Sequence, residues 1–374
     1  MPTDTVTDPD GIAPTRMRRQ GVWSPIAPDV ARVLGSLVAM QGQEFPYALW
    51  ALAQRVRDED RPDREKLLAL FDRGDILRTH VLRTTWHLVL PGDARWLLRL
   101  TTQRLRRQTA FYDRQLGLDR AELDRAQRVL AAEVAGGRQR TRRQLAAALT
   151  DAGIEATGQR LGHLMMHAEF DEVLISGAMS GRQQTYAAFD ERVPAESVAF
   201  DAEDALADLA RRYVASRAPV TAKDFASWAS LTVGQARSGL EAAGCEGEEL
   251  DGTVVFHPPG DRPGRTGGRR PRGSRPGPRA DLLQGYDELI MSYSESRGRL
   301  TARAGTLPVL DRTSYLHAVL IDGTLAGHWR HRLDAGTAVV QVQPIRTWSA
   351  AEHAAVSAAV AGYGRYLGCP TSLE

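Results

Sequence analysis

The sequence predicts a mainly α-helical fold with β wings, of the α+β class. It is built from three tandem winged-helix units and a β-rich C-terminal part. The first observation is that helical patterns followed by strand patterns occur three times in the 374 residues, as an internal structural repeat without sequence repetition. The second is a change of pattern after an Arg/Gly/Pro-rich segment, from which strands and a closing helix at residues 350–367 follow.

The first unit has the most explicit local signals. An amphipathic helix is predicted at residues 30–40, and Pro46 opens a second helix because proline suits the first helical turn. Asp63 is the predicted cap of a third helix. Residues 76–90 are rich in Ile, Val, Thr and Trp, which predicts the hairpin of the unit, and a long helical region follows over residues 91–135.

Capping signatures mark the later units. Thr141 and Gln144 form a capping-box pattern before a helix, and Thr221 and Asp224 repeat it. In the second unit, two strands around a Gly/Ser/Arg tip are predicted within residues 172–189. The predicted organisation is a disordered tail (1–20), a first winged-helix unit with a long helical extension (21–135), a second unit (136–200), a third unit (201–259), a disordered Arg/Gly/Pro linker (260–280) and a β-rich part with its closing helix (281–374).

Composition excludes several classes of protein. Cys245 and Cys369 provide neither a disulfide framework nor a metal cluster. The polar N-terminus is unlike a signal peptide, and no apolar run is long enough to span a membrane, so a cytoplasmic monomer is expected. The nucleotide-binding and hydrolase motifs GxGxxG, Walker A, GxSxG and HExxH are missing, and no cofactor is expected.

Two other groups of residues receive structural interpretations. His163 and His167 have the i, i+4 spacing of metal ligands, but no third ligand has a convincing spacing, so no metal site is predicted. Asp287 and Glu288 are adjacent, and on a strand they would point to opposite faces. They are therefore not a carboxylate pair of the glycosidase type, and a structural role is expected.

Arginines favour a nucleic-acid partner for the winged-helix units. Winged helices use a helix in a groove and wings on the backbone, and arginine is a bidentate phosphate ligand. A solvated arginine face is the alternative interpretation, and the Arg-rich linker is either an electrostatic clamp or an inert tether. The predicted phosphate contacts are Arg138, Arg140, Arg142 and Arg143 at the start of the second unit and Arg182 at a wing tip.

A polar stretch interrupts the apolar pattern of the first unit. Gln41 and Gln43 flank Gly42 between two predicted helices, and their carboxamides have donors and acceptors without charge. They are suited to hold a water molecule or a polar ligand, although they also fit a simple helix end. Thr85 and His87 share one strand face, either as an active-site wall or as ordinary hydrogen-bonding partners.

The segments AMQGQEFPYALWAL and LRTHVLRTTWHLVLP resemble motifs of the AlkZ-like tandem winged-helix DNA glycosylases of bacteria. YAAFDERVP and YDELIMSYSESR fit the same family, so the resemblance covers about residues 20–367. It implies a C-shaped cradle for duplex DNA, completed by the β-rich part. The family's Gln-x-Gln motif matches Gln41 and Gln43, with Gly42 in place of the usual apolar residue, and its Thr-x-His feature matches Thr85 and His87.

The resemblance implies a monofunctional DNA glycosylase that excises bulky N7-alkylguanine adducts in base excision repair, with a role in self-resistance to a DNA-alkylating antibiotic. An N7-alkylated purine is cationic and leaves easily, so the enzyme mainly positions a water molecule and stabilises an oxocarbenium sugar. Gln41 and Gln43 are the predicted catalytic residues for this task. The motif contains neither of the two lysines, Lys66 and Lys223, so no Schiff-base lyase step is expected.

The expected partner is double-stranded DNA that contains an alkylated purine. A C-terminal hairpin around His328, Trp329 and Arg330 is predicted to probe the minor groove, with an exposed amphipathic hairpin as the alternative. A different class of function is also compatible with winged helices, namely a non-catalytic DNA-binding transcriptional regulator. Three non-identical units with a β-rich tail fit such a regulator poorly.

Overall fold

One order of elements occurs three times in the chain: a helix, a short extended segment, two helices and a hairpin. The structure is a computed structural model and describes residues 12–25, 27–195, 199–250, 252–261, 277–297 and 317–374. Most of the predicted linker at 260–280 lies outside the described residues, as do residues 1–11 of the predicted tail.

A helix near the N-terminus, α1 (Ile12–Arg19), replaces part of the disordered tail predicted over residues 1–20. The Arg16 side chain is fully buried, and its Nε and Nη2 donate to the carbonyl oxygen of Pro219 at 3.1 and 2.6 Å. Its guanidinium also lies 3.7 Å from the centroid of the Tyr293 ring. These contacts to distant parts of the chain order the helix, and a local sequence pattern does not reveal them.

The first unit contains a three-stranded sheet in the order β1-β3-β2. Its elements are α2 (Val30–Leu37), β1 (Ala39–Gln41), α3 (Phe45–Ala53), α4 (Arg64–Arg73), β2 (Leu77–His80) and β3 (Trp86–Val89). The predicted helix at 30–40 is too long, because Val38 has a φ of 68° and ends α2. The following residues pair with β3, which satisfies their backbone groups and sets Gln41 opposite His87.

The second unit repeats this arrangement with the sheet order β4-β6-β5. The elements are α5 (Pro91–Gln115), α6 (Arg120–Val134), β4 (Arg140–Thr141), α7 (Arg142–Asp151), α8 (Gly158–Phe170), β5 (Leu174–Ser180), β6 (Gln183–Ala188) and α9 (Phe189–Arg192). The predicted capping box of Thr141 and Gln144 is confirmed on α7. The predicted helical region at 91–135 is two helices, and α6 packs with α7 and α8 in one core. The second unit therefore begins before the predicted boundary at residue 136.

The third unit has the same order of elements with a smaller sheet. It consists of α10 (Ala202–Arg217), α11 (Ala222–Trp228), α12 (Val233–Ala242), β7 (Glu246–Leu250) and β8 (Thr253–His257). Val220 forms an isolated bridge with Phe256, in the place that β1 and β4 occupy in the other units. The capping box of Thr221 and Asp224 is confirmed. Strand β7 was not predicted, because its sequence EGEEL lacks strand-forming residues and is extended only through its pairing with β8.

The C-terminal part is a five-stranded sheet covered by a helix. Its elements are β9 (Ala280–Leu283), α13 (Glu288–Met291), β10 (His317–Ile321), β11 (Thr324–Asp334), β12 (Thr337–Pro344), α14 (Ala350–Leu367) and β13 (Thr371–Leu373), with the sheet order β13-β12-β11-β10-β9. The closing helix is confirmed at its predicted bounds. The strand predicted in YDELIMSY is instead helical, because Asp287 caps α13 by accepting from the Leu289 backbone N at 2.9 Å.

The first unit and the C-terminal sheet share one hydrophobic core. The indole nitrogen of Trp50 donates to the carbonyl oxygen of Leu282 at 2.8 Å, and that of Trp329 donates to Leu283 at 2.9 Å. The sheet therefore stabilises the unit that contains the glutamine motif. None of the helices in the described ranges is both long and apolar enough to cross a membrane.

Two buried ion pairs at α13 connect three parts of the molecule. Arg55 of the first unit bonds Asp287 at 2.7 Å, and Arg217 of α10 bonds Glu288 at 2.9 Å. The indole nitrogen of Trp228 also donates to Glu288, at 2.9 Å. All four charged side chains are buried, so removal of one member of a pair would leave its partner as an uncompensated buried charge.

We expect Glu288→Gln to lower the free energy of unfolding by about 3 kcal/mol or more, because Arg217 would be left as an uncompensated buried charge. Urea unfolding at pH 7 measures this loss. Asp334→Asn is the control, because the Asp334 pair with Arg332 is exposed and should contribute less than about 1 kcal/mol. Equal losses in the two variants would show that the buried pair has no special role.

Candidate active site

Gln41 is the most enclosed polar side chain of the glutamine motif. It ends β1, is 1% exposed, and its backbone pairs with His87 on β3. Its Nε2 donates to Thr85 Oγ1 at 3.0 Å, and its Oε1 accepts from Arg83 Nη2. The carboxamide therefore has a fixed orientation, with one N–H and one oxygen lone pair left for other partners.

His87 lies beside Gln41 as a neutral imidazole. Its Nδ1 is 2.9 Å from the Thr85 carbonyl oxygen, so Nδ1–H is the donor and Nε2 can accept from Arg83 Nη2 at 3.2 Å. Complete burial, assisted by the nearby Arg83 charge, lowers the pKa of His87 to about 3. The two residues of the predicted active-site wall, Thr85 and His87, thus both lie next to Gln41.

Gly42 and Gln43 have a backbone fixed by hydrogen bonds. Gly42 N donates to the Trp86 carbonyl oxygen at 2.7 Å, and the Gly42 oxygen accepts from Arg78 Nε at 2.9 Å. The half-buried Gln43 side chain accepts from Trp86 N through Oε1 at 3.4 Å. A Cβ at position 42 would lie 3.3 Å from the Leu88 side chain, so little room exists for a larger residue.

Arg78 and Arg83 contact the motif but were not predicted as site residues. Arg78, on β2, is 8% exposed, donates to the Gln43 carbonyl oxygen at 3.2 Å and lies 4.1 Å from the Trp86 ring centroid. Burial lowers the pKa of Arg78 to about 10. Arg83 lies between Gln41 and the Met291 carbonyl oxygen, to which its Nη1 donates at 3.3 Å. Their location within LRTHVLRTTWH was the available sequence signal.

Glu288 of α13 holds the backbone of the glutamine motif in place. Its Oε1 accepts from the Gln41 backbone N at 2.9 Å, while Oε2 accepts from Arg217, Trp228 and Ser292. Burial would raise the pKa of Glu288, but the Arg217 and Arg83 charges outweigh burial and lower this pKa to about 2. The carboxylate is therefore ionised, and its role is structural, as expected.

The predicted phosphate-contacting arginines divide into two groups. Arg140 pairs with Glu133 at 3.0 Å, and Arg138 donates to the Glu133 carbonyl oxygen at 3.1 Å. The other three, together with Arg78, line a cavity of about 470 Å³ between the first and second units. These three are Arg142, Arg143 and Arg182.

Comparison with known proteins identifies the family of the chain. Residues 34–366 match the model of the family described as DNA glycosylase AlkZ-like. The chain belongs to the AlkZ-like DNA glycosylase family. The Streptomyces sahachiroi DNA glycosylase AlkZ has the same fold, with a TM-score of 0.70 and 20% identity over 97% of this chain and 98% of that chain. No curated protein matches the sequence.

In this glycosylase, the two histidines of α8 meet an acidic residue from α5. Asp113 Oδ1 is 2.6 Å from His163 Nδ1, and Asp113 Oδ2 is 3.0 Å from His167 Nε2. Two histidines and a carboxylate are residue types that can bind a metal ion, and the sequence spacing did not reveal Asp113 as the third member. However, Arg106 Nη1 lies 3.2 Å from His167 Nδ1, so Nδ1 is the acceptor and Nε2 bears the proton that Asp113 accepts. The geometry is that of a hydrogen-bonded cluster.

The predicted groove-probing residues of the glycosylase lie in β11, and one of them is internal. Trp329 is 3% exposed and packs against Tyr363, with ring centroids 5.1 Å apart, so its predicted insertion into DNA is wrong for this conformation. His328 is half-buried, and the exposed Arg330 donates to Gln341 Oε1 at 2.8 Å. The β11–β12 turn lies farther along the chain, next to Leu333, which is 60% exposed.

The low pKa of His87 predicts a pH-dependent stability. Below the ordinary pKa of 6.5, the unfolded chain binds a proton that the folded chain does not bind until about pH 3, so stability falls as the pH drops through this range. From pH 7 to pH 5 this group accounts for a loss of about 2 kcal/mol. Urea unfolding of wild type and His87→Gln at both pH values should show a smaller loss in the variant. Parallel losses would contradict a neutral buried His87.

Proposed function

We propose that this glycosylase hydrolyses the N-glycosidic bond of bulky N7-alkylguanine adducts in duplex DNA, as self-resistance to a DNA-alkylating antibiotic. The observation that carries the proposal is the neutral character of the motif: two carboxamides, Gln41 and Gln43, beside the uncharged His87. A cationic N7-alkylated base needs little general-acid assistance, because it leaves as a neutral molecule. For such a base, hydrolysis requires mainly that the attacking water is positioned and that the positive charge developing on the sugar is stabilised.

Gln41 and Gln43 hold the attacking water in this proposal. Gln41 is oriented by Thr85 and Arg83 and keeps a free lone pair on its oxygen. Gln43 accepts from Trp86 N through its oxygen, so its two amide N–H groups are the donors assigned to the water molecule. Oxygen lone pairs near the sugar also favour the positive charge that develops in the oxocarbenium-like transition state.

A monofunctional reaction is proposed because lysine chemistry is remote from the motif. Lys66 lies in the first turn of α4, next to its capping residue Asp63, and Lys223 pairs with Glu295 at 2.5 Å. Neither lysine has a hydrogen bond or an ion pair to Gln41, Gly42 or Gln43 among the described residues, so no amine is assigned to attack the sugar. Water is then the nucleophile, and the abasic DNA strand remains intact.

Three winged-helix units around duplex DNA are proposed from the repeated order of elements. Each unit has a pair of helices after its short extended segment, followed by a hairpin, which is the plan that lays a helix in a groove and wings on the backbone. Arg182 lies at the tip between β5 and β6, where a wing contacts phosphates. The C-terminal hairpin completes the DNA channel through its turn.

Gln41→Ala and Gln43→Ala should each reduce single-turnover base release about 100-fold, because loss of a group that positions the attacking water costs about this much. Duplex affinity should change less than about twofold, since neither residue is charged. The assay measures free base released from a duplex with one N7-alkylguanine. Gln108→Ala, an exposed glutamine on α5, is the control. Wild-type rates in both motif variants would refute the site, and no release by wild type from small or bulky adducts would refute the function.

Borohydride should trap no covalent enzyme–DNA adduct, and the strand at the excised base should remain uncut until alkali is added. Lys66→Ala and Lys223→Ala should release base at the wild-type rate. A trapped complex that disappears in either lysine variant would show a lyase step and contradict the monofunctional mechanism. A known bifunctional glycosylase with its own substrate is the positive control.

A further inference from the structure

A positively charged cleft lies between the first and second units, next to the glutamine motif. Its volume is about 470 Å³, and none of its lining residues is acidic. Arg142 and Arg143 enter it from the first turn of α7, and Arg182 enters from the β5–β6 tip. We call this cavity the arginine cleft, and its lining includes Arg78, Trp86, Arg142, Arg143, Arg182 and Tyr186.

The floor of the arginine cleft is a buried cation whose hydrogen-bond acceptors are all neutral. The Arg78 guanidinium donates to the carbonyl oxygens of Gly42 and Gln43 and to Gln184 Oε1, at 2.9, 3.2 and 2.8 Å. No carboxylate of the described residues forms an ion pair with it, although the residue is only 8% exposed. The charge of the buried Glu169 raises the pKa of Arg78 in part, but Glu169 Oε2 accepts hydrogen bonds from Thr79 and His80 rather than from Arg78. A buried charge of this kind is costly unless an anion compensates it.

Hydrogen-bond donors in the arginine cleft also exceed acceptors. The buried indole nitrogen of Trp86 and the Nε2 of Gln184 have no acceptor among the described residues. Burial, the largest effect, raises the pKa of Tyr186 to about 12 although the Arg142 charge acts in the opposite direction, so this hydroxyl is not an anionic partner. The cleft thus lacks the negative charge and the acceptor oxygens that a ligand would bring.

We infer that the arginine cleft binds one phosphodiester group of the DNA backbone near the lesion. This inference rests on the proposed function for its ligand. A phosphodiester supplies one negative charge and two terminal oxygens, which guanidinium groups bind in a bidentate manner. The first turn of α7 adds the positive end of a helix dipole. Because Arg78 also bonds the Gly42 and Gln43 carbonyls, the bound phosphate and the motif share one side chain.

Arg140 provides a matched control for the cleft arginines. It precedes Arg142 by two residues, but its charge is already compensated by Glu133 at 3.0 Å and it does not line the cleft. Arg140→Gln removes one positive charge from the same region of sequence. It therefore reports the general electrostatic attraction of DNA without the specific phosphate contact.

The test is a scan of a duplex with one uncleavable 2′-fluoro N7-alkylguanine, which fixes the register, in which one backbone phosphate at a time is replaced by a neutral methylphosphonate. The affinities of wild type, Arg142→Gln/Arg143→Gln and Arg140→Gln are measured for each duplex at fixed salt. At one position the replacement should weaken wild-type binding about tenfold, as expected for a charge-assisted contact. The double variant should be insensitive at that position, and Arg140→Gln should respond like wild type.

The inference would be overturned if each methylphosphonate replacement weakened binding of the double variant as much as it weakens binding of wild type. Binding of free inorganic phosphate to the cleft, with no such position in the DNA scan, would also overturn it, because the site would then serve a small anion. Unfolding in urea verifies that each variant is folded. Base release from the N7-alkylguanine duplex is measured separately, so failure of the proposed glycosylase reaction is distinguishable from failure of the phosphate site.

Discussion

The buried ion pair between Arg217 and Glu288 connects the parts of the molecule that form the candidate active site. Glu288 Oε1 accepts from the backbone of Gln41, and Oε2 accepts from Arg217 of the third unit. A buried pair offsets its desolvation cost only when its remaining donors and acceptors are satisfied, and Trp228 and Ser292 complete this set. The position of the glutamine motif therefore depends on the third unit and the C-terminal part as well as on its own sheet.

The same charges explain why the motif itself is neutral. Arg83 and complete burial keep His87 unprotonated, and the Glu288 carboxylate directs its oxygens to other donors. The side chains beside Gln41 are Thr85, the neutral His87 and the Arg83 guanidinium, and none of them is a general acid or a strong base near neutral pH. Such a site is poorly suited to a base that must be protonated before it leaves. It suits a base that is already cationic, which links the fold to the proposed class of substrate.

The elements that the sequence predicted well have local signals. The capping boxes of α7 and α11 and the bounds of α14 follow from side chains within a few residues of each helix end. Strands β1 and β7 and helix α1 have no such signals, because pairing or distant contacts produce them. The glutamines were predicted as site residues from their residue type and the family resemblance. Arg78 and Arg83 were missed because an arginine near a strand is ordinarily solvent-facing, and only tertiary contacts show otherwise.

Gly42 stands where the resemblance predicts an apolar residue, and its surroundings show how its backbone is held. Glycine would ordinarily loosen a backbone, since it has no side chain to restrict it. Here Gly42 N bonds Trp86 and Gly42 O bonds Arg78, so both polar groups of the residue are fixed. A Cβ at this position would lie 3.3 Å from Leu88 Cγ on the facing strand β3, so Leu88 packs closely against the glycine. Backbone bonds to β2 and β3, rather than a side chain of residue 42, therefore hold the segment between Gln41 and Gln43.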